Sequence, residues 1–545
     1  MNLNMFSVSK RPTINEIHDL YRTGKAVPSQ VLQFFFNRSK QTDKAIKAFN
    51  YYTPKVAEQK ASELDELLSQ YQSKGGDWFD DLISDYPLFG VPYSVKSIIL
   101  VEGEVFNAGS KILDNFHAPY SSTVFENVDQ AGGLMMGINH MDQFAMGSSG
   151  ETSDYATTRN PFDTSRIAGG SSSGPIAAVA SGQVVFSLGT DTGGSIRQPA
   201  AFCDVVGLKP TYGFVSRFGV TPMASSLDQV GGITNTVEDN IIVTKILAGK
   251  DDRDQTTIDS SELREKLGKL LENKKTTRQI KKISATTKPL RIGIPKEFYI
   301  DGIDPIIRNA MEDLQAKLKA LGHTLVDVSI PLSKYAISVY YMTMPVEVAA
   351  NLERIDGVRY AWQQEKYDNL YFEHRNKYFG DEAKRRIMLG TYVSSAGYYD
   401  AYYNRAQRVR ELARKDFDEV FKDVDVLLTP TTPEFPFKVG EKTSDPLKMY
   451  LSDVFTCGIN PVRIPGLAVP LGLFDIVKGE KAVPVLDSVE TDINQDGETV
   501  VHVTEIDEIQ PDTVKLPTGC QILGPELSED VIYRLAEEIE MIVKE

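Results

Sequence analysis

Apolar residues recur every three or four positions from residue 13 to about residue 70, through VLQFFFNRSKQTDKAIKAF and VAEQKASELDELLSQY. This spacing places the apolar side chains on one face of a helix. We therefore expect an N-terminal helical segment, residues 1–70, that packs on the core formed by residues 71–545.

Beyond residue 70, short apolar runs alternate with helical patterns. FGVPYSVKSIILVEG and GGLMMGI are typical of buried strands, and the helical pattern TVFENVDQAG lies between them. RIGIP and DVLLTPTTP predict further strands, and amphipathic spacing predicts long helices at 305–321 and 397–422. The alternation predicts an α/β fold: one large domain with a central mixed β-sheet that helices cover on both faces.

Two segments differ from this pattern. Residues 262–290 are basic and polar, which predicts a surface helix followed by a linker. Residues 475–514 hold eleven acidic and two basic residues, which indicates an acidic insertion. Within it, DINQDGE at 492–498 fits the first half of a calcium loop, but Val503 stands where a bidentate glutamate is needed. An Asp-Gly hairpin turn is the simpler interpretation.

Charge and composition narrow the function classes. The chain has 75 acidic and 59 basic residues and a net charge of −16, which argues against direct electrostatic capture of nucleic acid. The uncharged run 167–190 is rich in glycine and serine, so we do not expect a membrane span there. The N-terminus lacks an apolar run of signal-peptide length, and three cysteines are too few for a disulfide framework or a cysteine metal site. We expect a cytoplasmic protein without a metal of its own.

Glycine and serine are concentrated in one stretch of the chain. Ten of the 55 residues from 165 to 219 are glycine, in clusters that include GGSSSG (169–174) and GTDTGGSIRQP (189–199). Glycine at this density indicates backbone in special conformations or close to a ligand. Ser195 follows Thr192, Gly193 and Gly194, and successive backbone N–H groups beside a serine can bind an oxyanion. Ser195 is therefore a candidate nucleophile.

A serine nucleophile needs a base. None of the six histidines lies near these clusters in the sequence, whereas Lys96 stands in the apolar run VPYSVKSIIL, where burial would lower its pKa. An alternative is that GSSSG at 170–174 is a G-x-S-x-G nucleophile elbow, but the residues before it, TRNPFDTSRIA, do not form the required apolar strand. Ordinary turns and an edge-strand lysine also remain open at this point.

GGSSSG followed by GTDTGGSIRQPAAFCDVVGLKPTYG resembles the signature of the amidase signature family of serine hydrolases. That resemblance implies a Ser-cisSer-Lys triad, in which a bridging serine beside a cis non-proline peptide bond connects the base to the nucleophile. Carried onto this sequence, the implied roles are nucleophile for Ser195, bridging serine for Ser171, base for Lys96, and oxyanion hole for Thr192, Gly193 and Gly194.

Longer motifs are similar to one branch of that family, the glutaminase subunits of bacterial aspartyl/glutamyl-tRNA amidotransferases. They include NHMDQFAMGSSGET, AKRRIMLGTYVSSAGYYDAYYNRAQRVR and DPLKMYLSDVFT. The resemblance implies a glutamine substrate, with its α-carboxylate at Arg386, its α-ammonium at Asp453 and Tyr340 beside them. It also implies a B subunit that binds tRNA, a small C subunit, and ATP and Mg used by the whole complex, with no cofactor in this chain.

The prediction is thus a glutaminase subunit that supplies ammonia for converting Glu-tRNA(Gln), or Asp-tRNA(Asn), to the amidated form. Two other hypotheses remain. A free-standing amidase of the same family would act on small or hydrophobic amides, and would lack the recognition pair Arg386 and Asp453. A non-catalytic scaffold subunit would have a degenerate site, which the presence of Lys96, Ser171 and Ser195 argues against.

Overall fold

The computed structural model describes residues 10–114, 116–277, 288–356, 360, 370–493 and 499–544. Its helices are α1 Ile14–Arg22, α2 Pro28–Ile46, α3 Pro54–Lys74, α4 Trp78–Asp85, α5 Thr123–Gln130, α6 Ser173–Ala180, α7 Arg197–Phe202, α8 Val237–Leu247, α9 Ser261–Thr277, α10 Pro305–Ala320, α11 Ala336–Leu352, α12 Leu370–Tyr378, α13 Asp381–Ser394, α14 Arg405–Val420, α15 Pro446–Leu451 and α16 Glu529–Lys544. Its strands are β1 Phe49–Tyr52, β2 Pro92–Lys96, β3 Leu134–Asn139, β4 Phe186–Asp191, β5 Val206–Lys209, β6 Gln229–Thr234, β7 Arg291–Pro295, β8 Thr324–Val328, β9 Val426–Pro430, β10 Gly466–Ile493 and β11 Thr499–Leu523.

The strands form one mixed sheet in the order β1-β3-β2-β4-β6-β5-β10-β11-β9-β7-β8. Strands β3, β2 and β4 run parallel to one another, as do β9, β7 and β8. Antiparallel pairs connect β4 to β6, β6 to β5, β5 to β10 and β11 to β9. The predicted α/β fold with a central mixed sheet flanked by helices is confirmed.

The chain divides into two compact units. The first comprises the described residues up to Gly472 and from Pro517 onward, and the second comprises Leu473–Leu516, which belong to β10 and β11 where they are described. The predicted Asp-Gly turn falls largely on residues 494–498, which lie outside the described residues, as do residues 278–287 of the predicted basic segment.

The N-terminal segment differs from the expected run of helices. Strand β1 interrupts it between α2 and α3, and Phe49 pairs antiparallel with Asn139 of β3. The sequence FNYY is rich in aromatic residues, which favour strands when a neighbouring strand offers pairing. Because the residues on both sides of β1 show helical periodicity, the sequence predicted a helical segment across this strand. The long helix expected at 397–422 is instead a π-helix, Tyr399–Asn404, followed by α14.

The parallel pair β2 and β4 positions the candidate chemistry. Lys96 is the last residue of β2 and Asp191 is the last residue of β4, and Val95 is in register with Leu188. Because parallel strands end at the same edge of a sheet, Lys96 lies beside the loop that follows β4 and carries Ser195. Ligands in open α/β sheets bind at this carboxyl edge.

Candidate active site

Lys96 is completely buried and hydrogen-bonded to three hydroxyl groups. Its Nζ donates to Ser171 Oγ at 2.8 Å, Ser172 Oγ at 2.9 Å and Thr190 Oγ1 at 2.8 Å. The Thr190 carbonyl oxygen is 3.4 Å from the same nitrogen. None of these partners is a carboxylate, so the amine lies among neutral groups.

Burial lowers the pKa of Lys96 to about 7, although the carboxylates of Asp142, Asp191 and Asp228 oppose this shift. A buried ammonium loses its hydration, which disfavours the charged form. A large fraction of the Lys96 side chains is therefore unprotonated near neutral pH, as a general base requires.

Ser171 and Ser172 share the Lys96 amine but differ in their other contacts. Among the described residues, the only cis peptide bond joins Gly170 and Ser171. The Ser172 hydroxyl donates to the Thr190 carbonyl at 3.0 Å, so it has a structural partner of its own. Both serines are completely buried. Just after them α6 begins, with Pro175 in its first turn, where the missing N–H of proline costs no hydrogen bond.

Ser195 lies in the loop between β4 and α7 and is 9% exposed. Its carbonyl oxygen accepts a hydrogen bond from the Ser172 N–H at 3.1 Å, which holds the two serine loops together. Across the described chain its hydroxyl makes no hydrogen bond, so the structure joins Lys96 to Ser171 but not Ser171 to Ser195. Hydrogen bonds of catalytic groups are often long in unliganded sites and shorten when substrate binds.

One donor of the expected oxyanion hole already has a partner. The backbone N–H of Gly194 donates to Asp191 Oδ1 at 2.9 Å, so it is not a free donor. No hydrogen bond within the described ranges uses the backbone N–H groups of Thr192 and Gly193. The Thr192 hydroxyl donates to Asp228 Oδ1 at 2.7 Å, which fixes the start of this loop. Asp191 stands only three residues before Gly194, and aspartate side chains often accept hydrogen bonds from nearby backbone N–H groups.

Asp191 and Arg197 form an ion pair under this loop, with both side chains fully buried. Arg197 Nε is 3.0 Å from Asp191 Oδ2, and Arg197 Nη2 is 3.0 Å from Asp191 Oδ1. Asp191 also accepts from the backbone N–H of Ile196. Burial would raise the pKa of Asp191, but the charge and hydrogen bonds of Arg197, the charge of Lys209 and the Gly194 N–H together outweigh burial and hold the pKa well below its usual range. The remaining partners of Arg197 are Thr456 O, Asn460 Oδ1 and Gln521 Oε1.

Tyr340, on α11, is buried against the nucleophile loop. An ideal Cβ atom at Gly193 would be 2.7 Å from Tyr340 Cζ, so the phenol ring occupies the space beside that Cα atom. The Tyr340 ring also meets Tyr341 edge to face at 5.2 Å between centroids. A side chain larger than that of glycine at position 193 would require the Tyr340 ring or the loop to move.

Arg386 and Asp453 supply opposite charges. Arg386, on α13, is 4% exposed, and its Nε donates to Glu382 Oε1 at 2.8 Å. Asp453 accepts a hydrogen bond from the Ser148 hydroxyl through Oδ2, while its Oδ1 is buried and has no partner in the described part of the chain. Burial raises the pKa of Asp453 to about 7, and the Ser148 hydrogen bond and the Arg386 charge oppose that rise.

A cavity of about 270 Å³ contains Arg386 and Ser148, the partner of Asp453, in its wall. Its polar lining also includes Gln143, Glu151, Thr152, Glu382, Arg385, Lys442 and Tyr450. In the described ranges, no group of three or more histidine, cysteine, aspartate or glutamate side chains could hold a metal ion. No helix in the same ranges is long and apolar enough to span a membrane.

Comparison with known proteins identifies the family. The family model described as Amidase matches residues 30–532. The chain belongs to the amidase family. It is 40% identical over 531 residues to the A subunit of the glutamyl-tRNA(Gln) amidotransferase of Geobacillus thermodenitrificans, covering 97% of this chain and 96% of that one. It is 44% identical over 460 residues to the corresponding protein of Carboxydothermus hydrogenoformans, which has the same name, covering 84% and 90% of the two chains.

Solved structures of amidases agree with this assignment. The A subunit of the glutamyl-tRNA(Gln) amidotransferase of Thermotoga maritima superposes with a TM-score of 0.69 at 31% identity, covering 99% of this chain and 96% of that chain. A bacterial aryl acylamidase of the amidase signature family, at 21% identity and a TM-score of 0.74, shares the fold.

The structure adds three residues at the candidate site that the sequence analysis missed. Thr190 contacts Lys96, Ser148 contacts Asp453, and Glu382 contacts Arg386. Glu382 stands four residues before Arg386, which is the spacing of ion pairs on one helix face and was visible in the sequence. Ser148 and Asp453 are 305 residues apart, and no local pattern indicates their contact.

Proposed function

We propose that this chain is the glutamine-hydrolysing subunit of a tRNA-dependent amidotransferase. The observation that carries the proposal is the pair Arg386 and Asp453, a buried cation and a carboxylate with one oxygen that has no partner in the described residues. Asp453 lies by the loop that carries Ser195, because the Thr456 hydroxyl contacts the carbonyl oxygens of both Gly193 and Asp453. Glutamine carries an α-carboxylate and an α-ammonium, which need opposite charges in a selective pocket. The relatives at about 40% identity over nearly the whole chain support the same function.

The proposed hydrolysis begins with proton transfer. Neutral Lys96 takes the proton of the Ser171 hydroxyl, which takes the proton of Ser195, and Ser195 Oγ attacks the side-chain amide carbon of glutamine. The backbone N–H groups of Thr192 and Gly193 donate to the resulting oxyanion.

Collapse of the tetrahedral intermediate breaks the carbon–nitrogen bond. The leaving nitrogen takes a proton back through Ser171 and departs as ammonia, leaving a γ-glutamyl ester on Ser195. Water then attacks that ester, assisted by the same Lys96 relay, and glutamate is released.

Ammonia release is one half of the amidotransferase reaction. In the proposal a B subunit binds Glu-tRNA(Gln) or Asp-tRNA(Asn) and uses ATP and Mg to activate the carboxylate that ammonia attacks, and a small C subunit completes the cytoplasmic heterotrimer. The net charge of −16 supports this division, because tRNA binding needs a basic surface.

Two measurements on the purified chain and on its complex test the proposal. The first compares ammonia release from glutamine with release from a hydrophobic amide, for the native chain and for Asp453→Ala. We expect a strong preference for glutamine that Asp453→Ala removes. A native chain that prefers the hydrophobic amide would identify a free-standing amidase, and unchanged ammonia release in Ser195→Ala would identify a scaffold with a contaminating activity.

The second measurement co-expresses the chain with candidate B and C subunits and follows glutamine-dependent amidation of mischarged tRNA. Amidation that requires glutamine, ATP and all three subunits is expected. Hydroxylamine added during glutamine hydrolysis should yield the γ-glutamyl hydroxamate by intercepting the ester on Ser195, and Ser195→Ala should yield none.

A further inference from the structure

Glu382 lies in the wall of the cavity of about 270 Å³ and accepts hydrogen bonds from three side chains. Its Oε1 accepts from Arg386 Nε at 2.8 Å and from the Tyr450 hydroxyl at 3.0 Å, and its Oε2 accepts from Arg385 Nη1. Burial alone would raise the pKa of Glu382, but the charges of Arg386 and Arg385 and the hydrogen bonds from Arg386 and Tyr450 together lower it. The Glu382 carboxyl is therefore ionised near neutral pH.

The contact with Glu382 determines which nitrogens of the Arg386 guanidinium remain free to bind a ligand. Nε is used by Glu382, and Nη1 is 3.7 Å from the sulfur of Met344. Nη2 has no hydrogen-bond partner in the described part of the chain. The Arg386 guanidinium also lies over the ring of Tyr341, with Cζ 5.7 Å from the ring centroid. This contact restricts the orientation of the guanidinium in addition to the hydrogen bond at Nε.

We infer that Glu382 is the positioning residue that makes Arg386 specific for a substrate α-carboxylate, an inference that rests on the proposed function. A carboxylate binds a guanidinium best when donors face it in a fixed geometry. Glu382 accepts from Nε and Met344 Sδ accepts from Nη1, so Nη2 is the donor left for the substrate. Tyr450 strengthens the arrangement because its ring stacks on Tyr341 at 4.0 Å between centroids.

The same contacts make Asp453, and not Glu382, the carboxylate that can bind the substrate ammonium. Three donors already occupy Glu382, so it is a poor acceptor for an incoming ammonium. Asp453 Oδ1 is buried without a partner in the described ranges. Glutamine is thus recognised in one orientation, with its carboxylate toward Arg386 and its ammonium toward Asp453.

Glu382→Ala and Glu382→Gln test the inference in the full chain assembled with its partner subunits. Two substrates are compared: glutamine, and 4-aminobutanamide, which has the side-chain amide and the ammonium but no α-carboxylate. We expect Glu382→Ala to raise KM for glutamine at least about 10-fold with kcat changed less than about threefold. Hydrolysis of 4-aminobutanamide should be unchanged. Glu382→Gln retains an acceptor for Nε, so its KM should lie between those of the native chain and Glu382→Ala.

Glu126→Ala is the matched control, because Glu126 also lies in the first turn of a helix and pairs with an arginine, Arg253, but outside this cavity. Its KM should equal the native value. Equal losses on both substrates in the Glu382 variants would mean a merely structural role and would overturn the inference, as would an unchanged KM. A native complex that does not hydrolyse glutamine would instead refute the proposed function.

Discussion

The ring of Tyr340 lies directly beside the Cα atom of Gly193. An ideal Cβ atom at residue 193 would be 2.7 Å from Tyr340 Cζ and 2.8 Å from its hydroxyl oxygen, closer than real Cβ contacts. The contact joins α11, whose Tyr340 the sequence resemblance places beside the substrate, to the loop whose N–H groups would receive the oxyanion. A substitution at Gly193 or Tyr340 should therefore alter the position of the other residue.

Gly193→Ala should reduce kcat/KM for glutamine by about 10-fold or more, because either the Tyr340 ring or the loop must move away from its position for catalysis. Steady-state ammonia release, with the melting temperature measured alongside, checks this. Gly302→Ala is the control, since a Cβ atom there meets no atom within 4 Å. A Gly193→Ala chain with native kcat/KM would contradict the expectation.

Ser171 and Ser172 allow a matched comparison, since both accept a hydrogen bond from Lys96. In the proposed relay only Ser171 carries the proton, so Ser171→Ala should lower kcat by about 10²–10⁴-fold, the usual contribution of general acid–base catalysis. Ser172→Ala should have a smaller effect on kcat and a larger one on stability, because it loses the Thr190 hydrogen bond. Equal losses of kcat would argue against a distinct role for Ser171.

The pH dependence of the reaction should follow Lys96. Its pKa is lowered to about 7 and its neutral form is the base, so kcat/KM should rise as pH increases through about 7 and level off above it. Asp142 raises the pKa of Lys96 through its charge, so Asp142→Asn should move the midpoint to lower pH. Ammonia release measured from about pH 5.5 to about pH 9 tests both expectations. A rate that falls across this range would exclude a neutral amine as the base.

The Asp191–Arg197 pair should be important for stability. Arg197→Met leaves the buried Asp191 carboxylate without its cation, and removing one partner of a buried pair typically costs about 3–5 kcal/mol. Lys422→Ala breaks an ion pair that is exposed on both sides, and it should leave the free energy of unfolding unchanged within error. Denaturant unfolding of the native chain, Arg197→Met and Lys422→Ala measures the three free energies of unfolding. A loss for Arg197→Met no larger than that for Lys422→Ala would contradict the prediction.

Much of the fold could be predicted from local patterns. Strands β2, β3, β7 and β9 and helices α5 and α10 were all evident from apolar runs and helical spacing, because side-chain burial repeats with the period of the element. Strand β1 was not, since its pairing with β3 depends on residues about 90 positions away.

The sequence by itself determined the class of reaction. The serine and glycine clusters and the lysine in an apolar run are local features, and their spacing can be read directly from the sequence. It also contained the i, i+4 pair of Glu382 and Arg386. Only the tertiary structure decided which donors are free. The Ser148 hydroxyl donates to one oxygen of Asp453, and Lys96 donates to Thr190 as well as to the serines. Hydrogen bonds and burial depend on distances between segments far apart in the chain, and these distances exist only once the sheet has brought the segments together.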